Sequence, residues 1–136
     1  YTQADWRKAL GEALEGKGLD VVYDPVSGDW SEAAFRSLAP GGRHLVIGFA
    51  SGEIAKLPLN LALLKRASLV GVDWGGHVRA HVNEGPRITR RLMELAAQGK
   101  IGPRADSVHA LAEAPEVIAS MLARKMIGKP VIKPQA

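Results

Sequence analysis

Two short glycine-containing segments hold the residues best placed for chemistry. The first, Pro25–Gly28, follows the apolar run Asp20–Asp24, and the second, Gly48–Gly52, closes a run that begins at His44. Glycine lets a backbone approach a ligand closely, and ligands of open parallel sheets bind outside the carboxyl ends of the strands. If both runs are strands, the two segments indicate a ligand site. The alternative is that they are only tight turns.

Motifs for binding phosphate through a glycine-rich loop are absent from the chain. Gly16-Lys17-Gly18 precedes a predicted strand instead of following one, so it cannot place glycines under a helix N-terminus. Gly128-Lys129 lacks the upstream glycine and the following Ser or Thr of a P-loop. If a dinucleotide binds, its pyrophosphate loop is not in this sequence.

The sequence gives only weak indications of a metal site or of basic residues that bind phosphate. His77 and His81 are four residues apart, a spacing that places two imidazoles on one helical face, but no third ligand is evident and the chain has no cysteine. We therefore predict no metal site. Arg124 and Lys129 flank a glycine near the end of the chain, where they could bind phosphate or simply complement a helix C-terminus.

Composition limits the classes of protein that remain. The 136 residues suffice for one domain, and the 46% hydrophobic and 24% charged content is typical of a globular chain. Net charge is −2 in residues 1–60 and +6 in residues 61–136. The basic residues are not interleaved with aromatics, so nucleic acid is not predicted. No apolar run could span a membrane, and we expect a cytoplasmic protein.

Strand and helix patterns alternate along the chain. Helices are predicted where apolar residues recur every three to four positions, and strands where short apolar runs lie between glycines and prolines. The order strand, helix, strand with short connections predicts βαβ units and a parallel sheet. The predicted helical stripes are Trp6/Leu10/Leu14, Trp30/Ala34/Phe35/Leu38, Leu59–Leu64, Ile88/Leu92/Leu95/Ala96 and Val117/Ile118/Met121/Leu122; the predicted strands are 20–24 (buried on both faces), 44–49, 68–73, 108–111 and one containing Val131-Ile132.

The sequence resembles the quinone oxidoreductase branch of the medium-chain dehydrogenase/reductases. The resemblance covers nearly the whole chain in order, through the segments 18–26, 38–43, 47–52, 58–61, 68–72 and 128–129. It implies an α/β, three-layer partial Rossmann fold with a parallel sheet, lacking the first strands and the glycine-rich loop. Residues 1–103 would be the C-terminal part of the NADP-binding domain, and residues 104–136 a segment returning to a catalytic domain that is not in this sequence.

The resemblance also implies an activity and a site. Members of this branch reduce quinones or activated double bonds by direct hydride transfer from NADPH, without catalytic zinc. Because the catalytic domain is not in this sequence, this segment alone is expected to be inactive. Ser27 stands where the family more often has glycine. The strand Ser68 to Asp73 resembles the edge through which family members form homodimers. The residues that would contact the cofactor are Tyr1, Val26, Ile47, Gly48, Phe49, Ser51, Arg124 and Lys129.

Two alternatives from other classes stay open on the residues alone. A methyltransferase that uses S-adenosylmethionine also carries a strand, a helix, Leu-x-Pro-Gly-Gly and another strand. A non-catalytic dimerising or nucleotide-sensing module is the other alternative. The sequence does not name the substrate.

Overall fold

The computed structural model describes residues 5–102 and 104–134 as α/β structure with parallel strands, the predicted fold class. The chain divides into two compact units, one ending at Ala80 and the other beginning at His81. This division concerns compactness within the chain. The predicted boundary at 103/104 concerns packing on another domain, and it stays a prediction.

The first unit is a three-stranded parallel sheet with four helices. The strands lie in the order β1, β2, β3, and consecutive strands are neighbours, as expected for successive βαβ units. Its elements are α1 (Trp6–Ala13), β1 (Leu19–Asp24), α2 (Trp30–Ser37), β2 (Leu38–Val46), α3 (Asn60–Lys65), β3 (Ser68–Gly71) and α4 (Trp74–Ala80).

The second unit combines two helices with a parallel pair of strands. Pro130 begins the strand β5, a position that proline tolerates because its missing N–H breaks no ladder there. Pro115 stands in the first turn of α6, where its fixed φ suits a helix start. The elements are α5 (Glu84–Ala97), β4 (Ser107–Ala110), a 3₁₀ turn (Leu111–Glu113), α6 (Ala114–Leu122) and β5 (Pro130–Lys133).

The core of the first unit lies on one face of its sheet. Its buried residues are Phe35 on α2, Leu38 at the start of β2, Leu61 on α3 and Ala67 just before β3. Val22 on β1 packs against this cluster. The core therefore fixes α2 and α3 against the sheet, and with them the loops that leave the ends of β1 and β2.

The prediction that β1 is buried on both faces is wrong. Val22 faces the core, but Val21 is 39% and Tyr23 66% exposed. Successive side chains of a strand point to opposite faces, and β1 is an edge strand of the described sheet. The described residues leave Val21 and Tyr23, on the face opposite Val22, exposed.

The second strand also differs from its prediction. It spans Leu38–Val46, starting six residues earlier and ending three residues sooner than the predicted run from His44 to Phe49. Pairing of Leu38 with Leu19 draws the Pro-Gly-Gly segment into the strand. The amide of Ile47 still makes the ladder bond to the carbonyl of Asp24 (2.9 Å), but the strand ends there because the amide of Gly48 turns to the same carbonyl (3.4 Å) instead of pointing to the other side.

The apolar stripes of the helices are only partly buried. Trp6, Leu10 and Leu14 are half-buried, and the rest of α1 is exposed. On α6 only Val117 is buried, whereas the other three predicted core residues are exposed, so that part of the prediction is wrong: Ile118, Met121 and Leu122. Among the described residues, no helix is long and apolar enough to cross a membrane.

Candidate functional site

The carboxyl ends of the three parallel strands lie side by side. Asp24 on β1 pairs with Val46 on β2, which pairs with Gly71 on β3. The residues that follow each strand therefore emerge at one edge of the sheet. This confirms that the segments Pro25–Gly28 and Gly48–Gly52 leave neighbouring strands at the same edge.

The carboxylate of Asp24 organises this edge. Its Oδ1 accepts hydrogen bonds from the backbone amides of Val26 (3.0 Å) and Ser27 (2.8 Å). Its Oδ2 accepts the hydroxyl of Ser31 in α2 (2.7 Å) and lies 3.0 Å from Nε2 of His44 in β2. One side chain thus ties its own turn to a helix and to the neighbouring strand.

The pKa of Asp24 lies below its usual value. Burial raises this pKa, but the hydrogen bonds from the Ser27 amide, the Ser31 hydroxyl, the Val26 amide and His44 outweigh burial because each favours the ionised carboxylate. Asp24 is therefore an anion at neutral pH, and as an anion it accepts all four hydrogen bonds. Asp24 was not among the site residues predicted from the sequence.

His44 is buried beneath this network. Its ring is 1% exposed and stacks on Phe35, with ring centroids 6.1 Å apart. Since Nε2 faces the Asp24 carboxylate, we assign the ring proton to Nε2. Nδ1 has no hydrogen-bond partner within the described residues, which suits an unprotonated nitrogen better than a buried N–H.

Backbone hydrogen bonds join the two loops to each other. The amide of Ala50 donates to the carbonyl of Pro25 (3.1 Å), and the amide of Ser51 donates to the carbonyl of Val26 (2.9 Å). The Val26 amide is already bound to Asp24. Both backbone groups of Val26 are therefore engaged within the loops, so the structure fixes its position rather than leaving its amide free for a ligand.

Ser27 has a structural role that a glycine at this position could not fill. Its φ of 61° is in the left-handed region that favours glycine, and it is 4% exposed. Its hydroxyl accepts a hydrogen bond from the amide of Ala55 at 3.1 Å. The serine thus fastens the loop after β2 onto the turn after β1.

An open cleft of about 500 Å³ lies beyond the ends of β2 and β3. Three of the predicted contact residues, Ile47, Gly48 and Phe49, line it. Gly71, Val72 and Asp73 line it as well, and sequence reasoning missed them as site residues. The same strand-end rule that selected the first two loops applied to the end of β3 and could have found them.

The remaining predicted contacts are distributed differently. The hydroxyl of Ser51 donates to the carbonyl of Glu53 (3.2 Å) and accepts its amide (3.0 Å), so it stabilises its own turn. Arg124 and Lys129 belong to the second unit, where both are exposed. The Lys129 amide donates to Asp106 Oδ2 at 2.8 Å. Tyr1 lies outside the described residues.

Zinc does not fit the donors in the described part of the chain. The sequence has no cysteine, and within residues 5–102 and 104–134 no three His, Asp or Glu side chains come together as a metal site. His77 stacks on Trp74, with ring centroids 5.8 Å apart. No chemical step is therefore assigned to zinc in this segment.

The lowered pKa of Asp24 predicts a specific acid sensitivity. Because the folded-state pKa is below the unfolded value of about 3.9, the ionised carboxylate stabilises the fold above that pH, and this stability is lost as pH falls toward the folded pKa. Asp24→Asn should flatten the fall in urea midpoint between about pH 5 and pH 3. Asp29→Asn, which removes a carboxylate without a capping hydrogen bond, is the control. Parallel acid profiles for wild type and Asp24→Asn would contradict this assignment.

Comparison with known proteins shows the family to which the chain belongs. Residues 1–132 match the family model described as zinc-binding dehydrogenase. Quinone oxidoreductase-like protein 2 of Bos taurus is 35% identical over 129 residues, which are 95% of this chain and 37% of that protein. The chain thus spans little more than a third of that curated relative.

Solved structures share the fold. A probable oxidoreductase from Mycobacterium abscessus has a TM-score of 0.72 and 32% identity, over 98% of this chain and 38% of that one. The quinone oxidoreductase of Escherichia coli complexed with NADPH has a TM-score of 0.76 and 24% identity, over 98% of this chain and 42% of that one. The second likeness is one of fold.

Proposed function

Because the chain belongs to the zinc-binding dehydrogenase family, we propose that it is the cofactor-binding portion of an NADPH-dependent oxidoreductase that transfers hydride to quinones or activated double bonds. The observation that carries this proposal is the cleft at the ends of β2 and β3, beside the fastened loops of β1 and β2. Relatives described as quinone oxidoreductase-like proteins support the reaction class, and the Escherichia coli fold relative holds NADPH.

The residues of the cleft suit a flat ring laid against backbone. A Cβ at Gly71 would meet no atom within 4 Å, so this part of the cleft is open. A Cβ at Gly48 would lie 3.3 Å from the Pro25 carbonyl oxygen, so this glycine permits close packing of the two loops. Ile47 and Phe49 supply apolar surface that excludes water from a nicotinamide bound here.

The chemistry is a two-electron reduction. Bound NADPH supplies a hydride, which with a proton from solvent converts a quinone to its hydroquinone, or an enone to its saturated ketone. The residues of this chain hold the ring and exclude water, and positioning of this kind accounts for a large part of enzymatic rate enhancement. Arg124 and Lys129 remain proposed phosphate contacts.

We also propose that β3 mediates a homodimer. It is one of the two edge strands of the described sheet, and Leu69 on it is 53% exposed although apolar. An unpaired strand edge is a template for strand addition. The amide of Val72 points inward to Val46, at 3.0 Å, and by alternation those of Leu69 and Gly71 point outward.

Two measurements separate the candidate functions. Both use a protein of the relatives' length, which means this chain within a sequence as long as the curated relatives that it matches. Steady-state assays with NADPH and phenanthrenequinone or cyclohexenone should show NADPH oxidation, and sedimentation velocity should show a dimer. No NADPH binding and no oxidation with either acceptor would overturn the reductase. A dimer without NADPH binding would favour the non-catalytic scaffold, whereas a monomer that binds NADPH would rule the scaffold out. The match of residues 1–132 to the dehydrogenase family argues against the methyltransferase alternative.

A further inference from the structure

The buried network of Asp24, Ser31 and His44 is larger than a turn requires. An Asp side chain commonly bonds backbone amides of its own turn, as Oδ1 of Asp24 does with Val26 and Ser27. Oδ2 instead binds two side chains from other elements. These contacts add nothing to the turn itself, but they fix the carboxylate relative to α2 and β2.

The turn held by this carboxylate is conformationally demanding. Ser27 and Gly28 have consecutive positive φ angles of 61° and 90°. Such conformations persist where the surroundings over-determine them, and they concentrate at functional sites. Here two sets of hydrogen bonds hold the turn in this conformation. Asp24 accepts the amides of Val26 and Ser27, and the Ser27 hydroxyl accepts the amide of Ala55.

The position of the turn is transmitted to the cleft. The Asp24 carbonyl accepts the amide of Ile47, and the carbonyls of Pro25 and Val26 accept the amides of Ala50 and Ser51. With the amide of Gly48, which also donates to the Asp24 carbonyl, four residues of the loop after β2 bond to the backbone of residues 24–26. A shift of the carboxylate moves the segment around Gly48, which lines the cleft.

We propose that Asp24, together with Ser31 and His44, forms a positioning network. This network fixes the position of the loop after β2, which lines the cleft, and so aligns the nicotinamide for hydride transfer. This rests on the function proposed above. None of the three residues lines the cleft, so they act through the loop and not on the reacting atoms. His44 and Ser31 are themselves buried, at 1% and 7% exposure, and the side chain of Asp24 is 14% exposed.

The kinetic test compares variants in a protein of the relatives' length. Asp24→Asn keeps the shape of the side chain but replaces one carboxylate oxygen by an amino group, so at least one donor loses its acceptor. We expect a kcat lower by about 10-fold to 100-fold, with the KM for NADPH nearly unchanged. With NADPH deuterated at the transferred position, the isotope effect on kcat should rise because hydride transfer becomes rate-limiting.

Milder variants separate positioning from folding. Ser31→Ala should lower kcat less than Asp24→Asn, and Ser31→Thr should restore it because the hydroxyl returns. Ser37→Ala is the matched control, since it removes a hydroxyl in the same helix that bonds only to the Ala33 carbonyl. A kcat that falls only with the folded fraction, with an unchanged isotope effect, would overturn the positioning role.

A second measurement is independent of turnover. Hydrogen–deuterium exchange of the wild type and Asp24→Asn should show faster exchange at Val26 and Ser27 and also at residues 47–51, whereas Ser37→Ala should leave both segments unchanged. Faster exchange confined to Val26 and Ser27 would overturn the transmission. If the wild type binds no NADPH, but Asp24→Asn still exchanges faster than the wild type at both segments, the proposed function is disproved and the coupling between the two loops stands.

Discussion

Replacing Phe35 with alanine is expected to lower the free energy of unfolding by about 3–5 kcal/mol, the range found for removal of a buried phenylalanine ring. Phe35 is completely buried and contributes to the core with Leu38, Leu61 and Ala67. The loss is a large part of the roughly 5–15 kcal/mol that stabilises a typical domain, so the first unit of the chain should be close to unfolding.

The effect should extend beyond the cavity itself. Phe35 stacks on His44, and His44 lies against the Asp24 carboxylate. Loss of the ring leaves a void beside a polar pair that depends on exclusion of water. The expected result is therefore a lower urea midpoint together with faster amide exchange at the ends of β1 and β2.

The measurement is urea unfolding followed by circular dichroism. Leu63→Ala, which shortens an apolar side chain that is 77% exposed on α3, is the control and should change stability by less than about 0.5 kcal/mol. A loss below about 1.5 kcal/mol for Phe35→Ala would be smaller than removal of a buried ring allows, and the assignment of Phe35 to the core would then be wrong.

The general course of the fold could be predicted because it depends on local patterns. The alternation of apolar runs with helical stripes predicted the order of β1, α2, β2, α3 and β3. Pro115 and Pro130 stand at the beginnings of α6 and β5, because proline restricts where an element can begin. The strand-end rule brought the first two loops together, since it needs only the direction of parallel strands.

The ends of elements depend on contacts that spacing does not reveal. Ile47 and Phe49 continue the apolar run of β2, but the strand stops because the Gly48 amide turns to the carbonyl of Asp24, which already accepts the amide of Ile47. The helix α4 was missed since Gly75 and Gly76 are poor helix formers. Its first turn is stabilised instead by Asp73, whose Oδ1 accepts the Gly76 amide at 2.8 Å.

The positioning network was hidden for the same reason. Asp24 and His44 are 20 residues apart, and their contact follows from the register that pairs Asp24 with Val46 and Val22 with His44. A one-residue change in that register would turn His44 to the opposite face of the sheet. The sequence shows a carboxylate and an imidazole at two strands, but only the register brings them within 3.0 Å.

Gly48 is the position where a single methyl group should most affect NADPH binding. A Cβ there would lie 3.3 Å from the Pro25 carbonyl oxygen, and backbone cannot rotate away as a side chain can. The two loops must therefore separate by a few tenths of an ångström, which displaces the wall of the cleft. We expect Gly48→Ala to raise the Kd for NADPH about 10-fold, which is about 1.4 kcal/mol of binding free energy.

The matched control is Gly11→Ala on α1. A Cβ at Gly11 would meet nothing within 4 Å, and alanine in a helix is favoured over glycine by about 1 kcal/mol. Gly11→Ala should therefore bind NADPH as the wild type does and unfold at a higher urea concentration. Binding is measured by isothermal titration calorimetry on a protein of the relatives' length, and Gly48→Val should weaken it further because its methyl groups add to the clash.

The outcome distinguishes a cleft built by close loop packing from one built by side chains alone. If Gly48→Ala binds NADPH as tightly as the wild type while Gly11→Ala behaves as expected, the loop after β2 does not form the wall that the nicotinamide contacts. If Gly48→Ala weakens binding with little loss of stability, the cost of the methyl group falls on the ligand and not on the fold. That result would place the nicotinamide against the backbone at the end of β2.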